Sequence, residues 1–338
     1  MRILMAAWLL TFASAHVEAI SLASFDEERL ASYTETPPPG TITVTWLGTT
    51  TLLFDDGVSQ VLVDAFLSRP SLGQVTFGRL QTLSGLVDKI LCDAHADRLR
   101  GIFVTHSHYD HALDVAHVAL KSGALLYGTH STLNLARGGG VKDEQLRHFV
   151  RWRSEPVGAF DVMPIPSKHS PPLPFVNDNI GERIREPIRQ PLRQSAYVEG
   201  GTYDLLITHG SHRILVVASG NYEEGTLHDV RADVVFLAIG GIGTRSVDYH
   251  TRFYDNTVGC VRPRLVIPVH WDDFFEPLSG ELPAMLGANT TFRYIRQRLQ
   301  ADGIGLGVMQ GLQRVKLFDD DSLQMPLREP SQACDDYD

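Results

Sequence analysis

The sequence predicts an α/β fold in a single domain. Apolar and β-branched runs of strand length are followed by stretches of helical apolar spacing, in two successive halves of the chain. In the first half a strand runs into His106-Ser107-His108-Tyr109-Asp110-His111, which places four potential metal ligands in one segment. In the second half the run Arg264 to Val269 ends directly on His270. Strands then helices, twice over, define the class.

The elements follow in order. Arg2 precedes the apolar stretch Ile3 to Ala13, with small residues at Ala13, Ala15 and Ala19, so residues 1–19 read as a secretory signal peptide. The alternative is a buried first helix. The stretch is too short for a comfortable membrane span, which predicts a secreted or periplasmic protein with no integral span after cleavage. Residues 20–40, ending Pro37-Pro38-Pro39-Gly40, read as a linker before a domain over residues 41–318. Thr41 to Leu47 alternates as a strand, Thr51 to Phe54 returns, Asp55-Asp56-Gly57 signals a hairpin, and Val61 to Asp64 is a third strand. A helix is expected around Leu83 to Leu91, a strand up to Thr105, and a helix over residues 112–120. Residues 124–127 give a strand and residues 131–137 a helix, before the break Gly138-Gly139-Gly140.

Phe160 to Ser167 reads as a strand that leads to His169. Residues 171–193 show little pattern but carry Arg183, Arg185, Arg189 and Arg193. These could serve as a lid for an anionic substrate, or as a solvated loop pairing with Glu182 and Glu186, and the second reading is favoured. Tyr203–Thr208 and Arg213–Ala218 form a hairpin, and Val234–Ile239 is a buried strand. Gly240-Gly241-Ile242-Gly243 lacks the lysine of a phosphate-binding loop. A helix over residues 250–261 precedes the His270 strand. The helix Thr290–Ala301 sets Phe292, Ile295 and Leu299 on one face, and Arg314–Phe318 is the last strand. Residues 319–338 read as an acidic disordered tail.

With 43% hydrophobic and 21% charged residues over 338 positions, the chain is an ordinary globular one with material for a substantial core. The net charge of −10 argues against a nucleic-acid partner, which needs a basic face. Three cysteines make no disulfide framework, although one bridge, such as Cys92 to Cys260, is allowed.

Alternate residues of an extended chain share a face, so His106 and His108 point the same way while Ser107 points away. Asp110 and His111 stand where the chain turns into a helix, so the two pairs can serve neighbouring cations. Imidazole and carboxylate suit zinc, and also iron or manganese. His130 and His250 are candidates for a substrate pocket by loop position, and Trp271 reads as a packed aromatic.

The H-x-H-x-D-H run is the signature of the metallo-β-lactamase superfamily, and residues 41–318 resemble that family throughout. The resemblance implies a four-layer αββα sandwich and one or two metal ions. His106, His108 and His169 would hold the first, and Asp110, His111 and His270 the second. It places Asp64, at the end of the third strand, in support of the metal-binding loop. The opening strands look like the lactonase-like and phospholipase-D-like branch. Where the family usually carries a bridging aspartate, after the strand Ile214 to Ser219, this chain has Asn221. An amide relieves the repulsion between two cations less than a carboxylate does. The site would then hold one tight and one weak metal, with Asn221 as a weak or bridging ligand, or both metals would bind with hydroxide as the only bridge. The implied function is an exported metal-dependent hydrolase, with His106, His108 and Asp110 at the catalytic centre, acting on an ester, lactone or phosphodiester of a small or lipid-like substrate. Alternatives are a β-lactam hydrolase, an iron-dependent redox enzyme, and a non-catalytic metal-binding relative.

Overall fold

A computed structural model describes residues 22–172 and 179–318. Side-chain alternation along its strands sorts the core into layers. The first sheet contains β1 (Thr43–Trp46), β2 (Leu52–Asp55), β3 (Gln60–Val63), β4 (Leu99–Phe103), β5 (Leu125–Gly128), β6 (Leu146–His148) and the late strand β14 (Arg314–Lys316). Its order is β14-β1-β2-β3-β4-β5-β6. The second contains β7 (Glu155–Val157), β8 (Phe160–Ser167), β9 (Thr202–His209), β10 (His212–Val217), β11 (Val234–Ala238), β12 (Leu265–Val269) and β13 (Gly305–Leu306), in the order β13-β12-β11-β10-β9-β8-β7. Two of the strands that lead to the predicted ligands are interior and parallel to their neighbours: β4 lies between β3 and β5, and β12 between β11 and β13; the third, β8, is antiparallel to β7 and β9.

Val61, Val63 and Phe103 belong to one core with Phe160, Val216 and Phe236 of the second sheet. Their sequence neighbours Leu62 and Ile102 turn to the other face. There they meet α2 (Ser84–Asp93), α4 (Val115–Ser122) and α5 (His130–Gly138) through Val87, Val118 and Leu133. Phe54 and Phe236 meet edge to face across the sheets at 5.7 Å. All five residues of β11 are buried, and α6 (Val247–Tyr254) and α7 (Ala288–Asp302) join that core through Phe253, Phe292, Ile295 and Leu299. The result is the αββα sandwich, in one domain.

Several expectations need correction. The described part of residues 20–40 is not a free linker. Phe25 is 1% exposed, tilted against Phe292 at 4.9 Å and capped by the Arg296 guanidinium at 4.2 Å. Leu30 N–H donates to Val308 O and Tyr33 N–H to Arg314 O. One aromatic in a polar stretch leaves no periodic trace, so the sequence hides this contact. The signal peptide expected at 1–19 and the disordered tail expected at 319–338 lie outside the described residues. No helix among the described residues is long and apolar enough to cross a membrane. Cys92 is free and exposed whereas Cys260 is disulfide-bonded, so the two do not pair. A short helix α1 (Leu72–Phe77) was not anticipated, although Ser71 and Gln74 form a capping box at its start. The helix expected over residues 250–261 starts at Val247 and becomes a π-helix over Asp255–Gly259.

Candidate metal centre

β4, β8 and β12 all lead to one place. β4 ends at Phe103, and the chain bends at Thr105 and again at His108; between His106 and His108, Ser107 turns away to donate to Val198 O at 2.5 Å. His108 then caps a single helical turn, α3 (Tyr109–Ala112), which presents Asp110 and His111. His169 stands two residues beyond β8, and His270 directly follows β12.

Two triads result: His106, His108 and His169, and Asp110, His111 and His270. In each, one potential ligand atom per residue lies within 4.8 Å of the others. His108 Nδ1 is 3.1 Å from His169 Nε2. Asp110 Oδ2 is 3.2 Å from His270 Nε2 and 3.5 Å from His111 Nε2. The triads adjoin, with the His106 and His111 rings 3.8 Å apart.

The protein alone leaves this arrangement unsatisfied. His106 Nε2 is buried without a hydrogen-bond partner, a costly state for a polar atom. Burial, reinforced by the neighbouring imidazoles, holds His106 well below the usual histidine range. Burial and His108 push His169 down to about 3. Burial opposes ionisation of Asp110, but His111 and His270 outweigh it and hold the carboxyl well below its ordinary range. Imidazoles kept neutral in the first triad and an ionised carboxylate in the second are ligand forms that a divalent cation requires.

The surroundings fix which atom each ligand offers. His111 Nδ1 lies 2.7 Å from Asp64 Oδ2, which leaves Nε2 toward Asp110. Asp64, fully buried, also accepts from Thr105 N at 2.8 Å and from the Thr50 hydroxyl. Burial would lower the His111 pKa, but Asp110 and Asp64 raise it; a cation can take over the role of that proton. His169 Nδ1 is 2.8 Å from Ser170 O, so Nε2 faces His108. The His270 ring packs over Gly240, where an added Cβ would come within 2.8 Å of Nδ1.

Asn221 has another task. Its Nδ2 donates to His169 O at 2.7 Å and its Oδ1 accepts from Tyr222 N at 2.9 Å. Ser219 Oγ accepts from Ser170 N at 2.8 Å. The loop after β10 therefore clasps the His169 segment, and the Asn221 amide is engaged with backbone rather than drawn into either triad.

Other candidates fall outside the centre. His250 is buried against Ile242 O and Tyr294, and His130 is exposed and stacks on His148 at 3.9 Å. Trp271 is a core residue beside Trp46 and Phe292. Arg183, Arg185, Arg189 and Arg193 are exposed, and among the described residues none forms an ion pair with Glu182 or Glu186. Buried Ile184 and the Gln190 amide, which donates to Leu113 O at 2.7 Å, anchor that segment instead. Thr50, Thr105, Arg69 and Asp272 were not singled out from the sequence. Their roles depend on contacts between distant segments.

The family described as "Beta-lactamase superfamily domain" matches residues 59–271, a span that includes Asp64 and all six triad residues. Among solved structures, the isothiocyanate hydrolase from Delia radicum gut bacteria is 15% identical with a TM-score of 0.53, covering 82% of this chain and 100% of its own. The metallo-beta-lactamase fold protein YhfI from Bacillus subtilis is 13% identical with a TM-score of 0.52, covering 82% and 100%. The metallo hydrolase Igni18 from the archaeon Ignicoccus hospitalis is 14% identical with a TM-score of 0.50, covering 83% and 100%. At these identities the likeness is one of fold. No curated protein matches the chain.

Proposed function

The chain belongs to the beta-lactamase superfamily, and on that premise we propose that it is a hydrolase using two divalent cations at adjoining triads. The observation that carries the proposal is the pair of triads, with buried His106 Nε2 left without a protein partner. His106, His108 and His169 hold the first cation, and Asp110, His111 and His270 the second. Zinc is the cation proposed, with iron and manganese compatible with the same donors. Bound metal supplies a nucleophile from water near neutral pH and polarises a carbonyl or phosphoryl group. The chain's own part is to fix donor geometry. Asp64 orients His111, the Ser219–Asn221 loop holds His169, and Gly240 leaves room for His270.

The proposed substrate is a small or lipid-like ester, lactone or phosphodiester, and the proposed location is outside the cytoplasm, supported by the signal-like residues 1–19. The test is a panel of a lactone, bis-p-nitrophenyl phosphate and nitrocefin, run with metal-loaded and chelator-treated protein. Metal-dependent turnover of the lactone or the diester supports the proposal. Turnover of nitrocefin alone moves the substrate class to β-lactams, and turnover that survives metal removal sinks the mechanism.

A further inference from the structure

We propose that Arg69 and Asp272 form a buried strut that sets where His270 stands relative to Asp110, making both positioning residues for the second cation. The inference rests on the two-cation reading above. Arg69 lies in the loop after β3, in the first half of the chain, and Asp272 lies two residues beyond His270, in the second. Their side chains are 1% and 0% exposed and meet at 2.7 Å between Nη1 and Oδ2. The rest of the guanidinium fork is also used: Nε donates to Glu276 O at 2.6 Å and Nη2 to Asp273 O at 2.8 Å. Arginine thus grips the whole turn after His270.

The other oxygen of Asp272 reaches the site. Oδ1 accepts from Thr49 N at 3.0 Å. Thr49 O accepts from His270 N at 3.0 Å, and the Thr49 hydroxyl lies 3.4 Å from Asp110 O. One short turn therefore contacts the backbones of two ligands from opposite halves, and the strut fixes that turn. Gly48 admits the guanidinium, since a Cβ there would stand 2.2 Å from Arg69 Nη1. Thr49 (φ 45°), Arg69 (φ 41°) and His270 (φ 55°) all adopt left-handed backbone. Such conformations persist only where surrounding contacts over-determine them.

Stability alone is a poor reason for this pair. Burying two charges costs as much as their attraction returns, and apolar residues of similar volume often serve as well. Its value is geometric: two fixed charges define a distance between the halves. The first triad has separate supports, the Ser107 contact with Val198 O and the Ser219–Asn221 clasp, so the strut acts on the second.

The test uses the full chain, stripped of metal by a chelator and titrated with cobalt(II), following visible absorption and heat. Asp272→Asn keeps the volume and an acceptor for Thr49 N–H but removes the charge opposite Arg69. Arg69→Lys keeps the charge and loses the fork. Wild type should take two equivalents. Both variants should bind the first as wild type does and the second about 10–100-fold more weakly, with the smaller loss in Arg69→Lys. Should Asp272→Asn not fold, Arg69→Lys decides the case. Wild-type affinity at both sites, or equal weakening at both, overturns the strut. A wild type that binds a single equivalent overturns the two-cation reading on which it rests.

Discussion

Replacing Asp204 by Asn should remove a pH dependence of stability that the wild type carries between about pH 4 and pH 7. Asp204 lies on β9, 3% exposed, and its Oδ1 accepts from Ala218 N at 3.0 Å. Burial pushes its carboxyl from 3.8 up to about 7, against the opposing hydrogen bonds from Ala218 and Ser167. The sign follows from proton counting. Above 3.8 the unfolded chain releases this proton, while the folded chain keeps it until about 7. The folded state therefore binds more protons across that window, and stability falls as pH rises. One extra bound proton changes stability by about 1.4 kcal/mol for each pH unit, so a window roughly three pH units wide corresponds to about 4 kcal/mol. Below the window the wild type and Asp204→Asn should be nearly equal, because a protonated acid and an amide present the same neutral acceptor to Ala218. Above pH 7 the variant should be the more stable by up to about 4 kcal/mol. Urea unfolding of both proteins at several pH values gives the difference directly, and other titrating groups cancel in it. A difference that stays flat from pH 4 to pH 8 would refute the assignment of a buried neutral acid at Asp204.

Three further perturbations address the site and its frame. Asp64→Asn removes the charge beside His111 Nδ1, and metal affinity should fall about 10–100-fold with the fold intact; equilibrium dialysis and circular dichroism check both parts. Asn221→Asp loses the donor to His169 O and sets a carboxylate against that carbonyl. The contact is only partly buried, so its loss costs less than that of a fully buried carbonyl, about 1–3 kcal/mol; affinity at the first triad should drop, and tighter binding of both equivalents would instead mean that position 221 acts as a bridge. Phe25→Ala should destabilise the fold by about 3–5 kcal/mol, measured by thermal or urea unfolding, because its ring is buried between Phe292 and Arg296; a change below about 1 kcal/mol would contradict the packing of that segment.

The legible part of this molecule is local in sequence. His106, His108, Asp110 and His111 can be read because one strand end and one helical turn hold them all. His169 and His270 needed the family resemblance to choose them among 14 histidines. The supporting contacts were hidden for a physical reason. Arg69 and Asp272 are 203 residues apart, and neither carries a pattern that distinguishes a buried ion pair from two surface charges. Asn221 could be seen to break the family pattern, but that its amide clasps His169 depends on where the loop after β10 comes to rest. Whether Cys92 and Cys260 pair was open in the sequence for the same cause, since spacing says nothing about distance in the fold. The capping box at Ser71 and Gln74 is different: that signal is local, and it was open to sequence reasoning.

The central claim is that the two triads bind two cations, and metal counting tests it most directly. Elemental analysis of natively purified wild type should give close to two divalent ions per chain, and a His106→Ala/His108→Ala variant should lose the ion of the first triad. Metal content that the double substitution leaves unchanged, or a folded wild type that retains no metal and takes none up, would contradict the account.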